Sequence, residues 1–354
     1  MGNEDTPVGV REGETFNAGK METFIRDNLP DLAGTLEVQQ FPSGFSNLTY
    51  MLKIGDRELV LRRPPFGKKA KTAHDMSREY RILKALKPIF PYVPEPLLYC
   101  DDSAVIGSPF YIMQRLRGII LRKNIPRGLE LPPEKAAALC ENWVDVLVAL
   151  HGLDYKKAGL ADFGRPDGYV RRQVTGWSSR YRDARTDDAP DFETVMMWLD
   201  EHMPADSPVA GVVHNDYKFD NVVLSPNDPA AIIGILDWEM ATIGDPLMDL
   251  GASLAYWVDA DDSEEVQLIR TLPTTVPGMF TREQLVARYL DRTGLAIDAF
   301  DFYLCFGIFR LAVIAQQIYY RYYHGQTRDE RFGMLIVAVQ VLERAALRIM
   351  NEGM

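Results

Sequence analysis

The hydrophobic pattern opens with three strand-like stretches, Leu36–Phe41, Asn47–Ile54 and Glu58–Arg63. Ser43-Gly44 separates the first pair and Gly55-Asp56 the second. Gaps this short predict an antiparallel meander. Ahead of them, residues 1–15 are polar and glycine-rich, and a helix is predicted from about Asn17 to Asn28, ending at Leu29-Pro30. After them, Tyr80, Leu83 and Leu86 share helical spacing and predict a helix over Met76–Leu86. A loop rich in proline (Pro91, Pro94, Pro96) leads into further strand, including Pro109–Leu116.

From Pro132 onward the pattern is helical. Pro133 suits a first turn, and Ala136–Leu150 is apolar on one face. Further helices are predicted at Tyr169–Asp183, Phe192–His202, Pro246–Tyr256, Arg282–Thr293, Phe300–Tyr323 and Asp329–Asn351. The expected class is α+β: a small antiparallel-β lobe over residues 1–117 and a larger, mainly helical lobe over 118–354.

The chain has 354 residues, enough for two lobes, since single cores rarely keep growing past ~250–300 residues. Its net charge of −11 argues against nucleic-acid binding through a global basic field. Three widely spaced cysteines form no disulfide framework and no C-x-x-C pattern, which fits a reducing, cytoplasmic setting. No basic region followed by an apolar stretch opens the chain, so no secretory signal is expected. The longest apolar run, Leu304–Tyr320, contains Arg310 and two glutamines and reads as a buried core helix, not a membrane span.

The chemistry concentrates in H-N-D-Y-K-F-D-N, residues 214–221. Valines precede it, Val222–Leu224 follows, Ser225–Pro229 reads as a turn, and A-I-I-G-I-L runs into Asp237. A hairpin of this kind brings Asn221 and Asp237 together at its open end. An aspartate and an asparagine oxygen are hard ligands suited to Mg²⁺. A further carboxylate, Asp216, can accept or orient the proton of an attacking hydroxyl, and Lys218 can steady a transferring phosphoryl group by its charge. Each residue has a blander reading. An aspartate before a strand is often a cap or turn residue. Asn221 alone reads as structural, His214 as a satisfied buried histidine, Trp238 as core and Asp245-Pro246 as a helix start. The order in which they occur together is what points to phosphoryl transfer.

The stretches 214–221 and I-L-D-W-E-M-A-T-I-G-D-P-L-M-D-L (235–250) resemble those of the aminoglycoside phosphotransferase and choline kinase group, which has a bilobal protein-kinase-like fold. Within that group the chain is most similar to the phosphotransferase-like domains associated with acyl-CoA dehydrogenases, through R-R-Q-V-T-G-W (171–177) and F-R-L-A-V-I-A-Q-Q (309–317). The resemblance implies an ATP- and Mg²⁺-dependent small-molecule kinase. Asp216 would be its base, Asn221 and Asp237 its metal ligands, His214 a brace of the catalytic loop and Asp249 a carboxylate orienting that loop.

On the nucleotide side, the resemblance assigns the turn Pro42–Tyr50 to the phosphates, through Ser43, Gly44, Ser46 and Asn47. An ordinary hairpin turn is the alternative there. The third strand offers Arg62 and the following helix Glu79, as the basic residue and its partner. Relatives often carry lysine at the first of these, so arginine is a departure. Gln114 and Leu116 would supply backbone contacts to adenine.

The acceptor is a small-molecule hydroxyl. The family likeness tilts it toward a hydroxyacyl compound, with aminoglycosides, choline-like alcohols or a non-catalytic nucleotide-binding module as alternatives. A functional association with an acyl-CoA dehydrogenase is also implied. Arg310, in an apolar helix, needs a partner. An internal aspartate such as Asp249 and an anionic acceptor are both open. The acidic run Asp259–Glu265 reads as a solvated loop.

Overall fold

The computed structural model describes residues 6–42, 47–65, 75–205 and 209–354. The chain begins α1 (Ala18–Asn28), β1 (Leu36–Gln40), β2 (Leu48–Ile54), β3 (Arg57–Arg63), α2 (Met76–Leu86), β4 (Pro96–Cys100), α3 (Ser103–Ile106), β5 (Phe110–Gln114) and β6 (Ile119–Ile120). It continues through α4 (Pro133–His151), α5 (Tyr169–Ala184), α6 (Glu193–Glu201), β7 (Gly211–Val213), β8 (Val222–Leu224), β9 (Ile232–Ile235) and β10 (Thr242–Gly244). It closes with α7 (Pro246–Leu254), α8 (Glu264–Leu268), α9 (Arg282–Thr293), α10 (Asp301–Tyr323) and α11 (Leu335–Glu352).

These elements form two compact units. The first holds residues 1–120, 221–228 and 232–241. The second holds 121–220, 229–231 and 242–354. The predicted meander is present in the first unit and extends to five antiparallel strands in the order β1-β2-β3-β5-β4. Met21 and Ile25 of α1 are fully buried in one core with Leu52, Leu61, Phe110 and Ile112 of the sheet. The hairpin of β8 and β9 also belongs to this unit and pairs with β6.

In α2 the buried stripe is Met76, Glu79, Ile82, Leu83 and Leu86. Leu83 and Leu86 of the face suggested by the spacing lie in it, while Tyr80 is half-buried beside it. Glu79 therefore occupies an i, i+3, i+4, i+7 core stripe, which is why a carboxylate is carried into the interior. Asp75 caps this helix, its Oδ1 accepting from the backbone N–H of Ser77 at 3.0 Å and of Arg78 at 3.2 Å.

The second unit is helical around α10, which is long and apolar enough to cross a membrane but is mostly buried inside the unit. Two glycines set its crossing with α7. A Cβ on Gly307 would lie 2.1 Å from the Gly251 carbonyl oxygen, and a Cβ on Gly251 would lie 2.2 Å from that of Tyr303. Backbones this close leave no room for a side chain. The acidic run is not a free loop: Arg282 bridges Asp259 at 3.1 Å and Asp262 at 2.6 Å, and Arg344 holds Glu265 at 2.6 Å.

Candidate active site

In the second unit, β7 pairs antiparallel with β10 and delivers the chain into His214, which is fully buried. Asn215 then takes a left-handed conformation with φ 63°. Non-glycine residues adopt that region at a cost, and it persists where surrounding contacts over-determine it.

Those contacts come from several helices. Asp249 lies in the first turn of α7, a helix started by Pro246 and capped by the Asp245 carboxylate, which accepts from Leu247 N at 2.8 Å. Asp249 accepts from the backbone N–H of His214 and of Asn215, each at 2.7 Å. The His151 imidazole, in the last turn of α4, places Nε2 3.1 Å from the same carboxylate and Nδ1 2.7 Å from the Tyr289 hydroxyl. Burial alone would raise the Asp249 carboxyl, but the hydrogen bonds and charge offered by His151 and His214 hold it below its ordinary value.

On the other side, Arg310 of α10 donates to the Asn215 carbonyl at 2.6 Å, and its guanidinium stacks 5.1 Å from the centroid of the Trp177 ring. The Tyr169 hydroxyl donates to Asn215 Oδ1 at 3.2 Å. The positive charge predicted to need a partner thus meets a backbone carbonyl and an aromatic face.

The clamped loop presents Asp216 and Lys218. Their side chains form an ion pair of 2.9 Å. The Lys218 ammonium also lies 3.8 Å from Asp220 and 4.6 Å from the centre of the Tyr256 ring. Burial would lower the lysine pKa, but Tyr256, Asp216 and Asp220 more than offset it, so the ammonium is held above its usual value. The intervening Tyr217 points inward, its hydroxyl donating to the Trp143 carbonyl at 2.9 Å. Alternate residues of the loop therefore anchor and present.

In the first unit, β8 pairs with β9, and the Asn221 carbonyl accepts from Leu236 N at 2.8 Å. This closes the hairpin and brings Asn221 and Asp237 to one end, as the spacing predicts. Asp237 has φ 65°. Arg62 of β3 donates from Nη1 to Glu79 at 2.7 Å and from Nη2 to Asp237 at 2.9 Å. Its Nη2 is also 3.8 Å from Glu239, whose Oε2 accepts from the Asn47 amide at 2.6 Å. Burial would lower the Arg62 pKa, but Asp237 and Glu79 hold it well above its ordinary value. Burial pushes the Glu79 carboxyl up, with Arg62 pulling against it. Glu239 is the residue here that sequence reasoning passed over. Its only signal was its place in the triplet Asp237-Trp238-Glu239.

Ser43, Gly44 and Ser46 lie outside the described residues. The Gln114 backbone N–H is committed to the Glu95 carbonyl at 2.8 Å. The Leu116 side chain closes on β9, where a Cβ on Gly234 would lie 2.1 Å from its Cδ1. No cluster of three or more histidine, cysteine or acidic side chains able to hold a metal is present among the described residues.

Residues 37–290 match the profile of the phosphotransferase enzyme family. Over 320 residues the chain is 37% identical to the acyl-CoA dehydrogenase family member 10 of Mus musculus, covering 90% of this chain and 30% of that protein. It is 32% identical over 348 residues to the human acyl-CoA dehydrogenase family member 11, covering 94% of this chain and 43% of that one. The chain thus spans less than half the length of these curated relatives. Among solved structures, one from Ralstonia eutropha JMP134, assigned as an aminoglycoside phosphotransferase, is 30% identical with a TM-score of 0.77, covering 94% of this chain and 99% of that one. A choline kinase from Streptococcus pneumoniae shares the fold at 17% identity, with a TM-score of 0.57 over 92% of this chain and 99% of that one.

Proposed function

We propose that this chain, which belongs to the phosphotransferase enzyme family, is a kinase that moves the γ-phosphate of ATP to a small-molecule hydroxyl with the help of magnesium. The observation that carries the reading is the Asp216–Lys218 pair, 2.9 Å apart, at the tip of a loop clamped by Asp249 and Arg310. A rigid carboxylate and a fixed ammonium are what hydroxyl activation and stabilisation of a transferring phosphoryl group require.

In this reading Asp216 orients the acceptor hydroxyl and takes its proton, while Lys218 balances charge on the phosphoryl oxygens. The amide oxygen of Asn221 and the carboxylate of Asp237 fit magnesium, because both are hard donors and the hairpin fixes them at one end. When bound, magnesium would neutralise phosphate charge. Arg62 would turn from Asp237 toward the α- and β-phosphates while keeping Glu79, and Ser43, Gly44, Ser46 and Asn47 would cover the phosphates. Gln114 and Leu116 remain the proposed adenine contacts.

For the acceptor we take a hydroxyacyl compound, supported by likeness to relatives named as acyl-CoA dehydrogenase family members. A functional association with an acyl-CoA dehydrogenase belongs to the same reading, as does a cytoplasmic setting. One observation favours a second reading, a non-catalytic nucleotide-binding module: the Asp237 carboxylate is already engaged by Arg62. The two readings separate in one experiment. Purified protein with ATP and Mg²⁺ is offered hydroxyacids, hydroxyacyl-CoAs, aminoglycosides and choline. Transfer to the hydroxyacyl class is expected. Transfer to aminoglycosides or choline instead overturns that acceptor, and nucleotide binding with no transfer to any class favours the module.

A further inference from the structure

In the second unit, α7 and the turn after it meet the loop 214–218 at two points. Asp249, in the first turn of the helix, takes the backbone N–H groups of His214 and Asn215. Tyr256 follows seven positions later, just past the last residue of the helix. Ala255 keeps a right-handed helical conformation and Tyr256 N donates to the Ser253 carbonyl at 3.3 Å, so the helical phase carries through. Residues seven apart share a helix face. The half-buried Tyr256 ring lies with its centroid 4.6 Å from the Lys218 ammonium. The next residue, Trp257, is buried, with its ring centroid 5.4 Å from that of Trp143 and 5.2 Å from that of Phe219. Its indole N–H donates to the Phe280 carbonyl at 2.9 Å. These contacts fix the backbone from which Tyr256 projects.

The Lys218 side chain is only 16% exposed, and its ammonium lies 2.9 Å from Asp216 and 3.8 Å from Asp220. Its contacts differ in kind. Asp216 stands at hydrogen-bonding distance and Asp220 beyond it. The Tyr256 ring attracts the cation through its quadrupole, without a strong directional hydrogen bond. It can therefore hold the ammonium and leave N–H groups free to point at another acceptor.

We infer that Tyr256 is a positioning residue for phosphoryl transfer, whose ring keeps the Lys218 ammonium in place when Asp216 releases it. This rests on the roles of Asp216 and Lys218 given above and adds what holds the cation once the two part. In the transfer step the acceptor hydroxyl passes its proton to Asp216, its oxygen bonds to the γ-phosphorus, and the bridging P–O bond breaks to release ADP. Asp216 must exchange the ammonium for the hydroxyl to do so. Lys218 gains and loses no proton. Its ammonium is strongly hydrated and sits on a flexible four-carbon stem, so without a second fixed contact it would swing toward water. Tyr256 supplies that contact and leaves the ammonium facing the phosphoryl oxygens.

The full chain is prepared with Tyr256→Phe, and with that phenyl ring carrying one, two or three fluorines, each with Lys218 intact and with Lys218→Met. Fluorine draws electron density from the ring face and weakens its hold on a cation while nearly keeping its shape. Unfolding free energies from urea titration are expected to fall stepwise with fluorination when Lys218 is present and to stay level with Lys218→Met. In phosphate transfer from ATP to a hydroxyacid, kcat is expected to fall in the same steps with the KM for ATP unchanged. Tyr256→Leu removes the ring and is expected to lower kcat about fivefold to thirtyfold, the rate equivalent of a desolvated ammonium–ring contact. Tyr256→Phe is expected to recover most of that loss, and the fluorinated series serves if Tyr256→Leu does not fold. Equal stability slopes in both backgrounds would mean that the ring only packs, and overturn the inference. A kcat indifferent to fluorination while transfer proceeds also overturns it. Stability steps that depend on Lys218, with no phosphate transfer by the wild type to any acceptor, would contradict the kinase reading and support Tyr256 as the group that holds Lys218.

Discussion

Arg62 and Asp237 are joined by a 2.9 Å ion pair, and the other guanidinium nitrogen of Arg62 holds the buried Glu79 at 2.7 Å. A strand cation thus ties a helix carboxylate to a loop carboxylate within the first unit. Removing one member of a buried pair leaves its partner charged and desolvated, at about 3–5 kcal/mol. The Asp237 side chain is 32% exposed and that of Glu79 is 1% exposed, so Glu79 carries most of the penalty. Arg62→Ala is expected to lower the unfolding free energy by roughly 3 kcal/mol in urea titrations. Arg62→Ala with Glu79→Gln should recover much of it. A loss below ~1 kcal/mol in the single variant would contradict this weight on the pair.

Asp249 acts through the loop it holds. Asp249→Asn puts an amide N–H against one of two backbone N–H donors. A fall in kcat of about 10²-fold with unchanged ATP affinity is expected, of the size seen when catalytic groups lose their positioning. The pH sign follows from its depressed carboxyl. Its stabilisation is present above the ordinary carboxylate value of ~3.9 and is lost as pH falls through the lower folded-state value. Acid unfolding of Asp249→Asn should show a shallower pH slope than wild type below about pH 4. Identical slopes would remove Asp249 from the acid response.

The opposite sign holds for Asp259, whose carboxyl is raised to about 6, chiefly by burial, with Arg282 opposing and Asp262 assisting. A raised folded-state value means that the folded chain binds more protons than the unfolded chain between about pH 4 and that value. This contribution therefore falls as pH rises through the window. Melting temperatures of wild type and Asp259→Asn from pH 4 to 7 should differ in slope there, wild type declining more steeply toward high pH. Parallel curves would contradict the shift.

Much of the candidate site was legible in sequence order. D-x-K-x-x-N followed by a hairpin and an aspartate singles out Asp216, Lys218, Asn221 and Asp237 as candidates, and the structure pairs Asp216 with Lys218 and brings Asn221 and Asp237 to one end of the hairpin. Arg62 and Glu79 could be paired because a strand and the following helix are near in sequence. The clamp on the loop was harder to read. Asp249 gains His151 from 98 positions away and, through that imidazole, Tyr289, and nothing local in either residue signals it. Arg310 was legible as a charge that needs a partner, and one of its contacts is the Asn215 carbonyl. A backbone acceptor has no residue-type signature, so no inspection of side chains could have named it. The acidic run read as solvated because Arg282 and Arg344, which pair with it, belong to distant helices.

That carbonyl contact has its own consequence. Arg310→Lys keeps a charge but loses the planar stack on Trp177. About a tenfold fall in kcat is expected, with the KM for ATP unchanged and stability lowered by ~1–2 kcal/mol. A selective rise in acceptor KM would instead mean that Arg310 binds the acceptor directly.

The central claim is tested most directly by mass measurement of phosphate transfer from ATP to a hydroxyacyl acceptor, comparing wild type with Asp216→Ala at equal nucleotide occupancy. The account predicts an acceptor heavier by one phosphate with wild type and none with Asp216→Ala, while the variant still binds ATP. Undiminished transfer by Asp216→Ala would contradict it.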